Sequence, residues 1–161
     1  MKEFGVNRAS LGMQVTQNNL LKVIDRKHTI EEVYDAVEIL HSAGIDNISI
    51  DLMYGIPTQT IEDLHESLRT LMDFNINHIS LYGLTIEPNS KFGRLGYKPA
   101  ESDLDASMYE LAVQYLGENG FNRYEISNFA KEGYESIHNK VYWYYDDFVG
   151  LGLHASGKEN H

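Results

Sequence analysis

The sequence predicts an α/β fold with parallel strands, and two kinds of pattern indicate it. Residues 47–52 alternate strictly between polar and aliphatic side chains, with Met53 on the side of the polar residues, as a strand with two different faces requires. Thr29 and Thr60 are each followed three positions later by an acidic residue, which is the spacing of a helix-capping box. Strand and helix signals therefore succeed each other, and right-handed crossovers between them make the sheet parallel.

Three strand-then-helix units are predicted in the first half of the chain. Residues 8–14 alternate like the central strand, and a short helix is predicted over residues 19–26. The second helix ends before Gly44, because glycine readily adopts the left-handed conformation that ends helices. A strand over residues 78–85 follows the third helix. The aliphatic positions expected to be buried in these helices are Val33, Val37, Leu40, Ile61, Leu64, Leu68 and Leu71.

The second half of the chain has a different character. Residues 87–99 form a loop rich in turn-forming residues, and a loop of this length in a compact domain is often functional. Residues 104–116 predict a long helix, residues 124–130 predict another strand, and an aromatic segment occupies residues 138–145. The apolar side of the long helix is expected to consist of Leu104, Met108, Leu111, Ala112 and Tyr115.

Composition narrows the function classes. With 42% hydrophobic and 23% charged residues, the chain of 161 residues is of the globular type. Its 24 acidic and 13 basic residues give a net charge of −11, which argues against nucleic-acid binding. The absence of cysteine excludes a disulfide framework and thiolate metal sites within these residues. With no signal peptide and no long apolar run, we expect a soluble, cytoplasmic chain.

Polar side chains recur on one side of all three predicted strands. An ordinary barrel interior is packed with branched apolar side chains, so these polar positions predict a hollow that accommodates a polar ligand. The alternative is that they are hydrogen-bonded core groups or residues of an exposed sheet face. The predicted layers are Ser10, Ser49 and Ser80, and then Gln14, Asp51 and Tyr82 nearer the carboxyl ends.

Gln14, Arg26 and Asp51 each lie at or just past the end of a predicted element. Arginine offers a bidentate fork to a carboxylate, aspartate accepts from ammonium or hydroxyl groups, and glutamine does both. Together they predict recognition of a zwitterionic, nucleotide-like molecule. The alternative for Arg26 is an interaction with the carbonyl end of its short helix.

His138 precedes the richest aromatic cluster of the chain, residues 142–145. A flat, iron-bearing ring requires an aromatic slot and an imidazole for axial coordination, and this segment offers both. The alternative is a structural histidine with aromatic residues that pack in a sheet or a core. The sequence contains no pattern of a Ser-His-Asp hydrolase, of a zinc site or of a phosphate-binding loop.

Several segments in order resemble one known family, the radical S-adenosylmethionine proteins related to oxygen-independent coproporphyrinogen III oxidase. The resemblance implies the C-terminal half of a partial (βα)6 TIM-like barrel, followed by a small α+β extension. It implies a 4Fe-4S cluster and S-adenosylmethionine as cofactors, with Gln14, Arg26, Asp51 and Thr85 at positions that contact S-adenosylmethionine. The segments are 10–14, 49–57, 79–82 and 124–130.

The last motif resembles one branch of this family, the heme chaperones of the HemW type. His138-Asn139-Lys140-Val141-Tyr142-Trp143 is similar to the His-Asn-x-x-Tyr-Trp motif of that branch. The resemblance implies heme binding by His138, Asn139, Tyr142 and Trp143, and delivery of heme to an acceptor protein. The alternatives are an oxidase that decarboxylates coproporphyrinogen III and an inactive structural fragment.

The chain departs from the family pattern in one respect. The three cluster cysteines of the family, spaced Cys-x3-Cys-x2-Cys, have no counterpart here. We therefore expect a piece of a longer protein, with residues 1–90 as the last three βα units and residues 91–161 as the extension. Such a piece holds no metal and is inactive as an oxidoreductase by itself. We also expect an exposed sheet edge that favours a dimer.

Overall fold

The computed structural model describes residues 2–159, which form one five-stranded sheet with helices against its apolar face. Strands β1, β2 and β3 pair in parallel, and β5 and β4 continue the sheet in antiparallel pairing. The α/β prediction is confirmed. After a short 3-10 helix at Lys2–Phe4 the elements are β1 (Arg8–Gln14), α1 (Asn18–Val23), α2 (Ile30–Ser42), β2 (Asn47–Tyr54), α3 (Ile61–Leu71), β3 (His78–Gly83), α4 (Lys91–Arg94), α5 (Ser102–Glu118), β4 (Asn122–Arg123), β5 (Asn128–Ala130) and α6 (Ile137–Trp143).

Both predicted capping boxes start helices. The Thr60 hydroxyl accepts from the Asp63 N–H at 3.1 Å, and the Asp63 carboxylate accepts from the Thr60 N–H at 2.8 Å. The same reciprocal pair starts α2 at Thr29. Helix α1 ends earlier than predicted, because Asp25 adopts a left-handed backbone with φ 60° that a helix cannot continue through.

The core lies between one face of the sheet and helices α2, α3 and α5. The predicted buried stripe of α3 is confirmed except at Ile61, which is 37% exposed. Ile61 is the first residue of α3, so there is no preceding helical turn on which its side chain could pack, and it remains exposed. The fully buried aliphatic residues of the sheet are Ile48, Ile50, Leu52, Ile79 and Leu81.

Three segments of the second half differ from the sequence prediction. Of the strand predicted over residues 124–130, only Asn128–Ala130 (β5) is a strand. Residues 124–127 connect it to β4 in a hairpin, in which the Tyr124 N–H donates to the Asn128 carbonyl at 3.1 Å. The loop over residues 87–99 contains the short helix α4, capped by the Ser90 hydroxyl. The aromatic segment begins as helix α6. Within residues 2–159, no helix is long and apolar enough to cross a membrane.

Candidate functional site

The polar side chains of the three parallel strands share the face of the sheet that lies opposite the core. Ser10, Ser49 and His78 are paired across one layer, and Asp51 and Ser80 lie in the next layer. The predicted common face is confirmed. The predicted layers are wrong for β3, because its register is shifted by two residues, which changes the layer of a side chain but not its face.

Tyr82 provides the second correction of these layers. It is paired with Met53, one layer beyond Asp51, and its side chain is 44% exposed. Tyr82 therefore lies at the solvent-accessible carboxyl end of the polar face, rather than beside Asp51 as predicted.

Gln14 and Asp51 lie on the same part of this face. The register of β1 shifts between Gly12 and Gln14, and Gln14 has φ 67°. A Cβ atom on Gly12 would lie 2.6 Å from Gln14 Nε2, so the Gln14 amide covers Gly12, the register partner of Asp51. The Asp51 carboxylate accepts from the Ser10 hydroxyl at 2.9 Å. An amide and a carboxylate on one face can accept hydrogen bonds from ammonium and hydroxyl groups of a ligand.

Arg26 and Thr85 are exposed residues in loops that follow α1 and β3. Arg26 lines a depression of about 420 Å³ together with Lys22 and His28. His28 Nε2 lies 3.1 Å from the Met13 carbonyl oxygen, which attaches this loop to the carboxyl end of β1. Among the described residues, no hydrogen bond joins Arg26 to Gln14 or Asp51. The structure thus brings Gln14 and Asp51 together and leaves Arg26 and Thr85 in flanking loops.

A buried hydrogen-bond chain, which sequence reasoning missed, crosses the amino-terminal part of the polar face. His78 Nδ1 lies 2.8 Å from the Ser49 hydroxyl, and His78 Nε2 lies 2.7 Å from the Tyr124 hydroxyl. Burial, and secondly the charge of Arg8, lower the pKa of His78 to about 3, so the imidazole is neutral at pH 7. The alternation of β3 could have placed His78 on the polar face, but nothing in the sequence indicates Tyr124 as its partner.

Tyr124 connects this chain to the segment that precedes α6. Its hydroxyl accepts from the Ser136 N–H at 3.3 Å and from Asn139 Nδ2 at 3.2 Å. Since these two donors occupy both lone pairs, the phenol proton is donated to His78 Nε2. His78 Nδ1 then carries the ring proton and donates it to the Ser49 hydroxyl. The burial of Tyr124 raises its pKa, although both of its donors act in the opposite direction.

Helix α6 presents its histidine and aromatic side chains to solvent. His138 is exposed, and Trp143 is 53% exposed. Tyr142 packs edge-on against His138, with ring centroids 5.0 Å apart, and its hydroxyl lies 3.1 Å from His138 Nε2. Asn139 is directed to Tyr124 instead. The motif is therefore divided, with His138, Tyr142 and Trp143 on an exposed surface and Asn139 as an internal anchor.

His138 also lines a depression of about 470 Å³ at the amino ends of the strands. Arg8 and Asn47, the first residues of β1 and β2, contribute to the same depression. Asn47 lies four residues before Asp51, which corresponds to roughly 13 Å along the strand. The two groups of candidate residues therefore occupy opposite ends of one polar face.

The residues of the chain fit two of the three groups that the resemblance implies. The amide and carboxylate of Gln14 and Asp51 fit the polar groups of S-adenosylmethionine, and exposed His138 fits an axial heme ligand. A 4Fe-4S cluster does not fit, since the sequence has no cysteine to supply a thiolate. Moreover, residues 2–159 contain no cluster of His, Asp or Glu side chains that could hold a metal ion.

Comparison with known proteins gives consistent matches over most of the chain. Residues 1–71 match the model of the radical SAM superfamily. The chain is 43% identical over 162 residues to heme chaperone HemW of Lactococcus lactis subsp. lactis, and 38% identical over 156 residues to heme chaperone HemW of Escherichia coli. These alignments cover 98% and 96% of the chain.

The solved structure of coproporphyrinogen III oxidase (HemN) from Escherichia coli, described as a radical SAM enzyme, has a similar fold. The two superpose with a TM-score of 0.81 over 97% of this chain at 18% sequence identity. The chain covers 39% of that structure and spans 42% and 41% of the two bacterial relatives. The matches therefore concern a part of each of these longer proteins.

Proposed function

We propose that this chain, whose residues 1–71 match the radical SAM superfamily, serves a heme chaperone, in which heme is bound at helix α6 and passed to an acceptor protein. The observation that carries this proposal is the exposure on one short helix of His138, which packs against Tyr142, and of Trp143. An imidazole provides an axial ligand for heme iron, and the aromatic rings provide apolar surface for the macrocycle. Exposure suits delivery, because an acceptor protein has to reach the bound heme.

The position of His138 favours delivery over decarboxylation. An oxidase of this family needs its porphyrinogen side chain close to S-adenosylmethionine, whose proposed contacts include Gln14, Asp51, Arg26 and Thr85. The depression next to His138 lies roughly 13 Å along β2 from Asp51. Heme held at His138 is thus displaced from the end of the sheet where radical chemistry is expected.

S-adenosylmethionine is the cosubstrate proposed for the other end of the polar face. The chemistry that it would supply when bound is its own reductive cleavage, which starts the radical reactions of this superfamily. In the proposed role, Asp51 accepts from a hydroxyl or ammonium group, Gln14 orients the ligand, and the Arg26 guanidinium faces its carboxylate. No step through a cluster is assigned to this chain. The proposed compartment is the cytoplasm.

A hemin titration followed at the Soret band tests the heme proposal. We expect saturable binding of hemin with a shifted Soret band. His138→Ala should bind hemin at least about ten-fold more weakly, since an axial ligand is lost. His65→Ala is the matched control, because His65 is an exposed histidine on α3 and should leave the titration unchanged. An unaltered spectrum for His138→Ala contradicts the role of His138.

The oxidase alternative predicts a different result. If the longer protein were an oxidase, incubation with coproporphyrinogen III, a reductant and S-adenosylmethionine would give a decarboxylated product. The chaperone proposal predicts no such product and transfer of heme from the loaded protein to an apoprotein. Product analysis by mass spectrometry separates the two.

A further inference from the structure

We propose that Arg8 forms a carboxylate-binding subsite beside His138, which takes a propionate group of the bound tetrapyrrole. This inference rests on the proposed function, since it names the part of the ligand that the same depression recognises. Arg8 and His138 line one depression of about 470 Å³ at the amino ends of β1 and β2. A guanidinium is the side chain best suited to hold a carboxylate in a defined orientation.

The Arg8 guanidinium is held in place but has unused donors. Its Nη1 atom donates to Asn47 Oδ1 and to the Tyr134 carbonyl, both at 3.3 Å. In the described part of the chain, Nε and Nη2 donate to no acceptor, and no carboxylate forms an ion pair with Arg8. Because arginine has five N–H donors, a carboxylate can bind without displacing the two contacts that fix the side chain.

The charges around the depression single out Arg8. Lys140 also lines it, but its ammonium group lies 3.5 Å from the Glu135 carboxylate, so that charge is already matched. The whole chain carries a net charge of −11, which repels an anionic ligand. Arg8 has no carboxylate at ion-pair distance in the described chain, although the charge of Asp51 acts on it from farther away. Its guanidinium therefore provides the local attraction that such a ligand needs next to His138.

The rest of the lining fits an amphipathic ligand. Ile137 is 81% exposed and Tyr134 is partly exposed, and both lie next to Arg8 in this depression. Ligand sites usually combine apolar surface with a few polar groups that fix orientation. A porphyrin has this character, with an apolar ring, an iron that binds imidazole and two carboxylates at one edge.

The test compares hemin with hemin dimethyl ester, in which both propionates are neutral, on the unaltered chain. We expect the ester to bind about ten-fold more weakly, as for the loss of one hydrogen-bonded charge pair. Arg8→Gln should lower the affinity for hemin by a similar factor and leave the affinity for the ester unchanged. Arg8→Lys should retain part of the preference for hemin over the ester. Arg69→Gln, an exposed arginine on α3, is the matched control.

The outcomes separate this inference from the proposed function. If hemin binds in a His138-dependent manner but the ester binds equally well, the subsite is overturned and the heme proposal stands. If Arg8→Gln loses affinity for hemin and ester alike, Arg8 acts through the fold and the subsite is again overturned. If the unaltered chain binds neither ligand, both proposals are overturned.

Discussion

The Tyr142 hydroxyl lies 3.1 Å from His138 Nε2, four residues away on helix α6. This nitrogen is one of the two atoms through which an imidazole can bind iron. The tyrosine therefore competes with heme iron for Nε2, and the hydrogen bond holds the imidazole in a defined orientation.

We predict that Tyr142→Phe binds hemin a few-fold more tightly than the unaltered chain. The substitution keeps the ring and removes a hydrogen bond worth about 1 kcal/mol, which has to break before Nε2 binds iron. Soret titrations of the two proteins give the comparison. Tyr144→Phe, which alters another exposed tyrosine, is the control and should have no effect. Weaker binding by Tyr142→Phe would show that the hydroxyl contributes to the heme site.

Tyr124→Phe tests the buried chain that anchors α6. The substitution leaves His78 Nε2, Asn139 Nδ2 and the Ser136 N–H without their partner. We expect a loss of about 2–3 kcal/mol in the free energy of unfolding, because the buried His78 imidazole and two part-buried donors are left without a partner. Tyr109→Phe also removes two hydrogen bonds, but the bonds are solvent-exposed, so a loss below about 1 kcal/mol is expected. Urea denaturation of both variants measures the difference.

The low pKa of His78 predicts a stability loss in mild acid. The folded chain keeps this imidazole neutral down to about pH 3, whereas the unfolded chain binds a proton near pH 6.5. Since the unfolded state binds more protons between these values, this contribution to stability is complete above pH 6.5 and decreases as the pH falls toward 3. As the pH is lowered from 6.5 toward 3, the urea midpoint should decrease more steeply for the unaltered chain than for His78→Gln. His65→Gln, at an exposed position, should retain the full pH dependence.

Local signals in the sequence predicted helices α1, α2, α3 and α5 and the faces of the parallel strands, but not the short helices α4 and α6. The boxes at Thr29 and Thr60 depend on contacts three residues apart, so the sequence alone contains the whole interaction. Alternation likewise assigns each side chain of a strand to a face. The layer of Ser80 was not predictable in this way, because it depends on the offset between strands that are far apart in sequence.

Only those parts of the candidate site that depend on local patterns were predictable from the sequence. Gln14 and Asp51 share a face by alternation, and the structure brings them together. The bonds of Tyr124 to His78 and Asn139 span separations of 46 and 15 residues, and no local pattern encodes them. The sequence did not predict the exposure of α6 either. Consecutive aromatic residues cannot all lie on one side of a helix, so their pattern shows no clear periodicity.

Gly12→Ala tests the placement of Gln14 over the polar face. An added Cβ would meet Gln14 Nε2 at 2.6 Å, and the long side chain can swing away from it. We expect a displaced Gln14 amide with a stability change below about 1 kcal/mol, since the clash involves a flexible end rather than backbone. The Gln14 side-chain amide resonances should shift in NMR spectra, while circular dichroism is retained. Unchanged resonances would mean that the Gln14 side chain lies elsewhere.

The edge of the sheet gives the last prediction. In the described chain β1 pairs only with β2, so its outer N–H and C=O groups are available to a second copy. We expect self-association at micromolar concentrations, visible as a sedimentation coefficient that rises with protein concentration. Ser10→Lys places a charge on this exposed edge and should shift the equilibrium to the monomer.

Ser107→Lys is the control for this prediction, because it adds the same charge at an exposed position on α5, remote from β1 in sequence. If both lysine variants dissociate equally, the effect is one of net charge, and the β1 edge is not the interface. A monomer at every concentration would mean that the unpaired groups of β1 are hydrated, and that side chains on the strand prevent pairing.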